Sequence, residues 1–260
     1  MSNAGTGRPV PAADVGIVLL DADVSRPVGD VGNAATFDYP VLYRTARGAF
    51  PKHVVEREAA GLLDRFVRAG RRLLDSGARA VTTSCGFLAI YQHDLTEALD
   101  GIVATSAMLQ IPLVMRMLNP TSHVGLITAN ASALGPGHLD GSGVSLADRD
   151  RLTIVGLEST QHFYPVIVEG ARGPLDTARA EDEVVTAARR ALTLDPAIAA
   201  FVLECSNLPP YAAAIRAATG LPVWDITTMV DWIAHGIAGA RPPWNTPGTA
   251  GTTRATAGGG

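Results

Sequence analysis

Cysteine is nearly absent from this chain, with only Cys85 and Cys205 among 260 residues. Two thiols do not make a disulfide framework, so reduced thiols and a cytoplasmic setting are expected. No cluster of basic residues stands out along the sequence, and the net charge is −4, so nucleic acid is not an expected partner. No apolar run approaches the roughly 18 residues of a membrane span. No charged segment followed by an apolar core opens the chain, so neither a membrane anchor nor a secretory signal is expected. The six histidines are scattered without metal-ligand spacing, so no metal is expected. The Gly29/Gly32 turn is too short a signal for a dinucleotide site. What the chain does have is length and apolar content, 47% hydrophobic, enough for one large or two small domains with real cores.

The two cysteines occur in matching surroundings. Ala80-Val81-Thr82-Thr83-Ser84-Cys85-Gly86-Phe87 and Ala200-Phe201-Val202-Leu203-Glu204-Cys205-Ser206-Asn207 each run from a β-prone stretch through Cys to a small residue. A helical pattern follows each one, so each thiol is expected at a strand end before a helix N-terminus, where open α/β sheets bind ligands. The cysteines are 120 residues apart, and the same offset aligns Asp75 with Asp195 and Ile102–Thr105 with Pro222–Asp225. A second echo joins Val15-Gly16-Ile17-Val18 to Val124-Gly125-Leu126-Ile127. The chain thus reads as two similar α/β halves with mainly parallel sheets.

Hydrophobic periodicity gives the order of elements. A first strand is expected over Val15–Leu20, a turn-rich segment to Pro51 with a strand or hairpin from Phe37 to Tyr43, and one long helix over His53–Ser76. After Cys85 come a helix over Phe87–Leu99, a strand over Ile102–Thr105 and a helix over Ala107–Leu118, which Pro112 interrupts near its start. The second half is expected to hold strands Val124–Thr128, Thr153–Leu157, Ala200–Glu204 and Pro222–Asp225, with helices Ala178–Leu194 and Thr227–Ala238. The Pro-, Gly- and Thr-rich runs 1–12 and 241–260 are expected to be disordered.

Paired thiols facing one cleft suit acid/base work at carbon, with one face deprotonated and the other protonated. A helix N-terminus favours a thiolate by roughly 0.3–1 kcal/mol, about one pKa unit, which is expected to bring each thiol near working pH. Backbone amides at Gly86, Phe87, Ser206 and Asn207 are expected to hold a carboxylate. Thr83, Ser84 and Thr128 approach the same strand ends, and Arg44 and Arg47 are candidates for a carboxylate clamp.

On these residues the chain resembles the aspartate/glutamate/hydantoin racemase superfamily, from about Val15 to Ala238. The resemblance implies two pseudo-symmetric Rossmann-like α/β domains with the active site in the cleft between them, and no cofactor. The expected domains are 13–106 with 226–240, and 107–225. It implies that Cys85 and Cys205 are the two acid/base residues and that Gly29, Asp30 and Asn33 contribute to binding a small-molecule carboxylate. The expected activity is racemisation or epimerisation next to a carboxylate or amide carbonyl. A cis–trans isomerase working through a Cys adduct and a non-catalytic small-acid binder are the alternatives. Gly86-Phe87 and Ser206-Asn207 depart from the residue pairs that grip free amino acids in this superfamily, and assembly into a homo-oligomer is left open.

Overall fold

Strand β1 (Val15–Leu20) is apolar throughout and nearly all buried, the mark of a central parallel strand covered on both faces. The computed structural model describes residues 13–238; the runs expected to be disordered, 1–12 and 241–260, lie outside the described residues. Strand β1 pairs in parallel with β2 (Val41–Ala46) and β3 (Ala80–Thr83), and β3 pairs with β4 (Ile102–Ala104). In the second sheet β5 (His123–Thr128) lies between β6 (Leu152–Gly156) and β7 (Ile198–Leu203), and β7 pairs with β8 (Val223–Trp224). The orders are β2-β1-β3-β4 and β6-β5-β7-β8, so the two sheets repeat one another strand for strand. The chain is α/β, as its sequence pattern implies. The stretch expected as a strand or hairpin from Phe37 starts only at Val41, and it pairs in parallel.

The expected single helix over 53–76 is two helices, α1 (Pro51–Glu56) and α2 (Leu63–Asp75). Between them Glu58 and Ala59 take left-handed φ values of 50° and 54°. The break is held by a tertiary contact, since the Tyr91 hydroxyl donates to the Ala59 carbonyl at 2.6 Å. The apolar stripe runs across the break, which is why periodicity hid it. The expected helix after Cys85 starts as a 3₁₀ turn over Gly86–Tyr91 and becomes α3 only at Gln92–Ala98. In the same way a 3₁₀ turn, Ala107–Gln110, precedes α4 (Ile111–Met117), with Pro112 in its first turn, where a missing amide donor costs little.

In the second half, α5 (Pro136–Gly141) and α6 (Leu146–Arg149) follow β5, and α7 (Phe163–Ile167) follows β6. Next come α8 (Thr177–Leu194), α9 (Ala212–Thr219) and α10 (Ile226–Ala238). Asp176 caps α8 by accepting from the amides of Ala178 and Arg179. Helix α10 returns to the first sheet's side, where the Tyr39 hydroxyl donates to Asp231 at 2.6 Å and Arg79 donates to the Ile237 carbonyl at 3.2 Å.

The glycines shared by the two echo motifs have different tenants. A Cβ at Gly16 would lie 2.8 Å from the Leu73 Cβ, whereas one at Gly125 would lie 2.5 Å from the Phe201 ring. Phe201 is fully buried and has nowhere to go. Gly125→Ala is therefore expected to cost about 1–3 kcal/mol through overpacking. Denaturant unfolding measures it, and an unchanged midpoint would mean the Phe201 ring moves aside freely.

Candidate active site

Both thiols stand where a parallel strand ends. Strand β3 delivers Ser84 and Cys85, and β7 delivers Glu204 and Cys205, with both cysteines free and buried. The two halves are stitched at this point: the Ser206 hydroxyl donates to the Ser84 carbonyl at 2.6 Å, and the Asn207 amide to Asp30 at 2.6 Å. One cavity of about 20 Å³ has Cys85 and Cys205 on its wall together with Ser84, Phe87, Glu204 and Asn207. Leu20, Val24, Val55, Ile167 and Val168 make most of the remainder apolar, and Arg26 is the one basic side chain on the wall. That volume is on the scale of a single water, so the polar groups on the wall stand close together.

Glu204 is the residue the sequence did not flag. It is buried, and one of its oxygens, Oε2, accepts from the Thr128 hydroxyl at 2.7 Å and the Ala129 amide at 3.3 Å. The other, Oε1, has no hydrogen-bond partner among the described residues. It lies against the backbone of Gly86, where a Cβ would collide with both this oxygen and the Glu204 carbonyl. Gly86 follows Cys85 because any side chain there would displace the carboxyl. The available signal was an acidic residue closing an otherwise apolar strand.

A second set of polar groups braces the cavity from behind. The Cys205 sulfur is 3.7 Å from the Asn207 side-chain oxygen Oδ1, as a thiol donor would be. Asn207 is fixed by Asp30, which is buried and also accepts from Arg26 at 2.9 Å and from the Gly32 amide at 2.7 Å. Arg26 is thereby held at the mouth of the site by a part-buried ion pair. It lies in the turn-rich segment after β1, and no sequence signal set it apart from other arginines.

The electrostatics correct the expectation that the thiols are pulled down toward working pH. Burial pushes Cys85 and Cys205 well above the ordinary thiol value, and the nearby Glu204 carboxylate adds to the push. The backbone amides of Phe87 and Asn207 oppose it only in part. Each cysteine is followed by a short 3₁₀ turn rather than a full α-helix, so the dipole expected to favour the thiolate is weak. Burial likewise lifts Glu204, here to about 7, against the pull of Thr128 and the Ala129 and Phe87 amides.

The residues expected to bind substrate divide in two. Ser84, Phe87 and Asn207 reach the cavity wall alongside the cysteines, and Phe87 also packs edge-on against His138, ring centroids 5.1 Å apart. Gly29, Asp30, Asn33, Thr83, Gly86, Thr128 and Ser206 stand behind the wall. Asn33 caps a turn over Ala34–Thr36 and donates to the Arg26 carbonyl. Thr83 donates to the Thr105 and Cys85 carbonyls, and Thr128 holds Glu204. Gly29, with φ of 102°, packs on Pro210 and its amide donates to Thr36. Arg44 and Arg47 are not on the cavity: with Arg65, Arg68 and Arg72 they line a separate surface groove, a basic cluster that sequence order disperses. Among the described residues no group of three or more His, Cys, Asp or Glu is placed to hold a metal ion.

The architecture of two parallel four-stranded sheets is shared with solved structures of the aspartate/glutamate racemase superfamily, and that is the fold of this chain. Allantoin racemase from Klebsiella pneumoniae aligns with TM-score 0.59 and 17% identity over 85% of this chain and 89% of that one. A glycine-to-cysteine mutant of arylmalonate decarboxylase aligns with TM-score 0.56 and 19% identity over 88% and 94%. Glutamate racemase from Bacillus anthracis aligns with TM-score 0.55 and 15% identity over 86% and 82%.

By sequence the chain belongs to the dimethylsulfoniopropionate lyase family. It is 31% identical over 249 residues to dimethylsulfoniopropionate lyase 7 of Emiliania huxleyi, across 88% of this chain and 72% of that protein. It is 28% identical over 228 residues to the dimethylsulfoniopropionate lyase of Durusdinium sp. clade D, across 86% and 75%. No family model matches the chain. The chain is an enzyme, and the expected racemase or epimerase activity is overturned, because the sequence relatives are named lyases. The cis–trans isomerase and the silent binder fall with it. One fold serves several chemistries, which is why the sequence pattern pointed to the wrong one.

The lifted Glu204 carboxyl has a consequence for stability. Between about 4.5, its ordinary value, and about 7, the folded chain keeps a proton that the unfolded chain has lost. Stability therefore falls as pH rises through that window and stays lower above it. Glu204→Gln is expected to remove this penalty, gaining up to about 3 kcal/mol at pH ~8 and nothing near pH ~4. Chemical denaturation at the two pH values checks the sign, and equal gains at both would contradict it.

Proposed function

We propose that this chain is a carbon–sulfur lyase that splits dimethylsulfoniopropionate into dimethyl sulfide and acrylate. The reaction is a β-elimination. A base takes the proton from the carbon next to the carboxylate, the electron pair becomes the new double bond, and the carbon–sulfur bond breaks toward sulfur. The leaving group departs neutral and apolar.

The observation that carries this reading is the composition of one cavity wall: two thiols, one guanidinium and one buried carboxyl, with Ser84 and Asn207, among largely apolar residues. In this assignment Arg26 takes the carboxylate, since Asp30 engages only one of its terminal nitrogens. Leu20, Val24, Val55, Ile167 and Val168 receive the dimethylsulfonium end, which turns into an uncharged thioether as the reaction proceeds. The arriving sulfonium cation also favours the anionic forms of the cysteines, offsetting part of the burial that keeps them neutral.

Cys85 is assigned as the base. Burial opposes the charged form of both thiols, and Glu204 adds to it at each. The Cys205 sulfur is engaged with the Asn207 side chain, which leaves Cys85 as the thiol without a side-chain partner of its own to hold it.

Purified protein given dimethylsulfoniopropionate is expected to release dimethyl sulfide and acrylate in equal amounts, measured by headspace gas chromatography and liquid chromatography. Absence of both products would sink the reading. Cys85→Ser is expected to lower the rate by about 10²- to 10⁴-fold. Limiting iodoacetamide is expected to label Cys85 ahead of Cys205 by mass spectrometry, with activity falling in step. Labelling of Cys205 first would reverse the assignment.

A further inference from the structure

An elimination leaves a proton behind on every turnover. In a two-thiol site that inverts a carbon, one sulfur gains the proton that the other loses, so the site ends with as many protons as it began. In a lyase the base ends each cycle as a neutral thiol, and nothing returns its proton to the product. A buried thiol must then lose that proton before it can act again, and with little water beside it an acceptor is needed within reach.

We infer that Glu204 is that acceptor: its unpartnered Oε1, pressed against Gly86 between the two cysteine-bearing turns, relays the proton from the thiol base to solvent. This inference rests on the lyase reading above.

Four features support it. Glu204 stands on the same cavity wall as both thiols, and its carboxylate acts electrostatically on each. Its Oε2 is anchored by Thr128 and Ala129, so the carboxyl is fixed while Oε1 is left over. A buried carboxyl oxygen that makes no hydrogen bond is costly, the Phe87 amide easing that cost only in part, and Gly86 is kept bare to make room for it. A carboxyl lifted to about 7 both takes and yields a proton at neutral pH. The other ionisable groups on this wall are Arg26, Cys85 and Cys205, with Asp30 behind, and neither Arg26 nor the ion-paired Asp30 is free to serve.

The cycle balances. The Glu204 carboxylate accepts the thiol proton of Cys85, giving a carboxylic acid and a thiolate. The thiolate takes the proton from the carbon next to the substrate carboxylate; the carbon–carbon double bond forms, and the carbon–sulfur bond breaks with its electron pair going to sulfur. Cys85 is again a thiol, and Glu204 passes its proton to solvent water. The sum is dimethylsulfoniopropionate to acrylate, dimethyl sulfide and one proton.

Two measurements on Glu204→Gln separate a relay from a structural role. Removing the carboxylate takes away a negative charge that opposes thiol ionisation, so iodoacetamide should label the free variant at least as fast as wild type at each pH. Steady-state release of dimethyl sulfide near neutral pH should nevertheless fall by about 10²-fold or more. Activity of the variant should recover only at alkaline pH, where the thiols ionise unaided. Thr128→Val, which removes a hydroxyl that favours the ionised carboxyl, should shift the acidic limb of the pH–rate profile upward. That second variant decides the matter if Glu204→Gln does not fold. A Glu204→Gln enzyme as active as wild type, or a Thr128→Val enzyme slowed equally at every pH without a shift, would overturn the relay. No dimethyl sulfide from wild type would overturn the lyase reading and the relay with it, whereas a productive wild type beside an unimpaired variant overturns the relay alone.

Discussion

A carboxyl group is buried where two α/β sheets meet, and much of the site is arranged around keeping it there. Glu204 is held by Thr128 and Ala129 on its own side of the cleft and faces Gly86 on the other. Burial costs a carboxylate its hydration, which one hydroxyl and a few amides only partly replace, so its proton affinity rises toward neutrality. The same burial keeps the two thiols neutral in the absence of a cation. Arg26, paired with Asp30, is the one basic side chain on that wall.

The cross-half contacts explain how the cavity keeps its shape. Asn207 reaches Asp30, which orients Arg26, while Ser206 reaches the backbone of Ser84 beside Cys85. Asn207, Asp30, Ser206 and Ser84 were candidates for touching substrate, and Asp30 and Ser206 instead hold residues on the wall. A polar residue near a strand end is as useful for bracing as for binding, because buried backbone and carboxyl groups need partners. Only the packing of one half on the other tells the two uses apart.

The repeated layout has diverged in its details. Gly16 and Gly125 occupy equivalent strands, yet one makes room for Leu73 of α2 and the other for Phe201 of β7. Asp195 accepts from His123 and Thr153, whereas its counterpart Asp75 is an exposed residue ending α2. The acidic residue before the second cysteine has Ser84 as its counterpart before the first, so the two sides of the cleft are chemically unequal. A reaction that needs a base on one face only is compatible with such asymmetry.

By itself the sequence determined the alternation of strands and helices, the doubled sheet and the placement of both cysteines at strand ends. These follow from local apolar periodicity and from a repeat that aligns several flanking features at one offset. The break between α1 and α2 escaped it, because the apolar stripe continues across residues whose left-handed backbone is held by Tyr91 from elsewhere. The thiol ionisation escaped it too, because proton affinity depends on burial and on neighbours 119 residues apart in the chain, as Cys85 and Glu204 are. Tertiary structure alone decided that Glu204 faces Gly86, that Arg26 reaches the cavity while Arg44 and Arg47 do not, and that Asn33 braces a turn. Those outcomes are set by which surfaces meet when the two sheets pack, and no spacing along the chain encodes that.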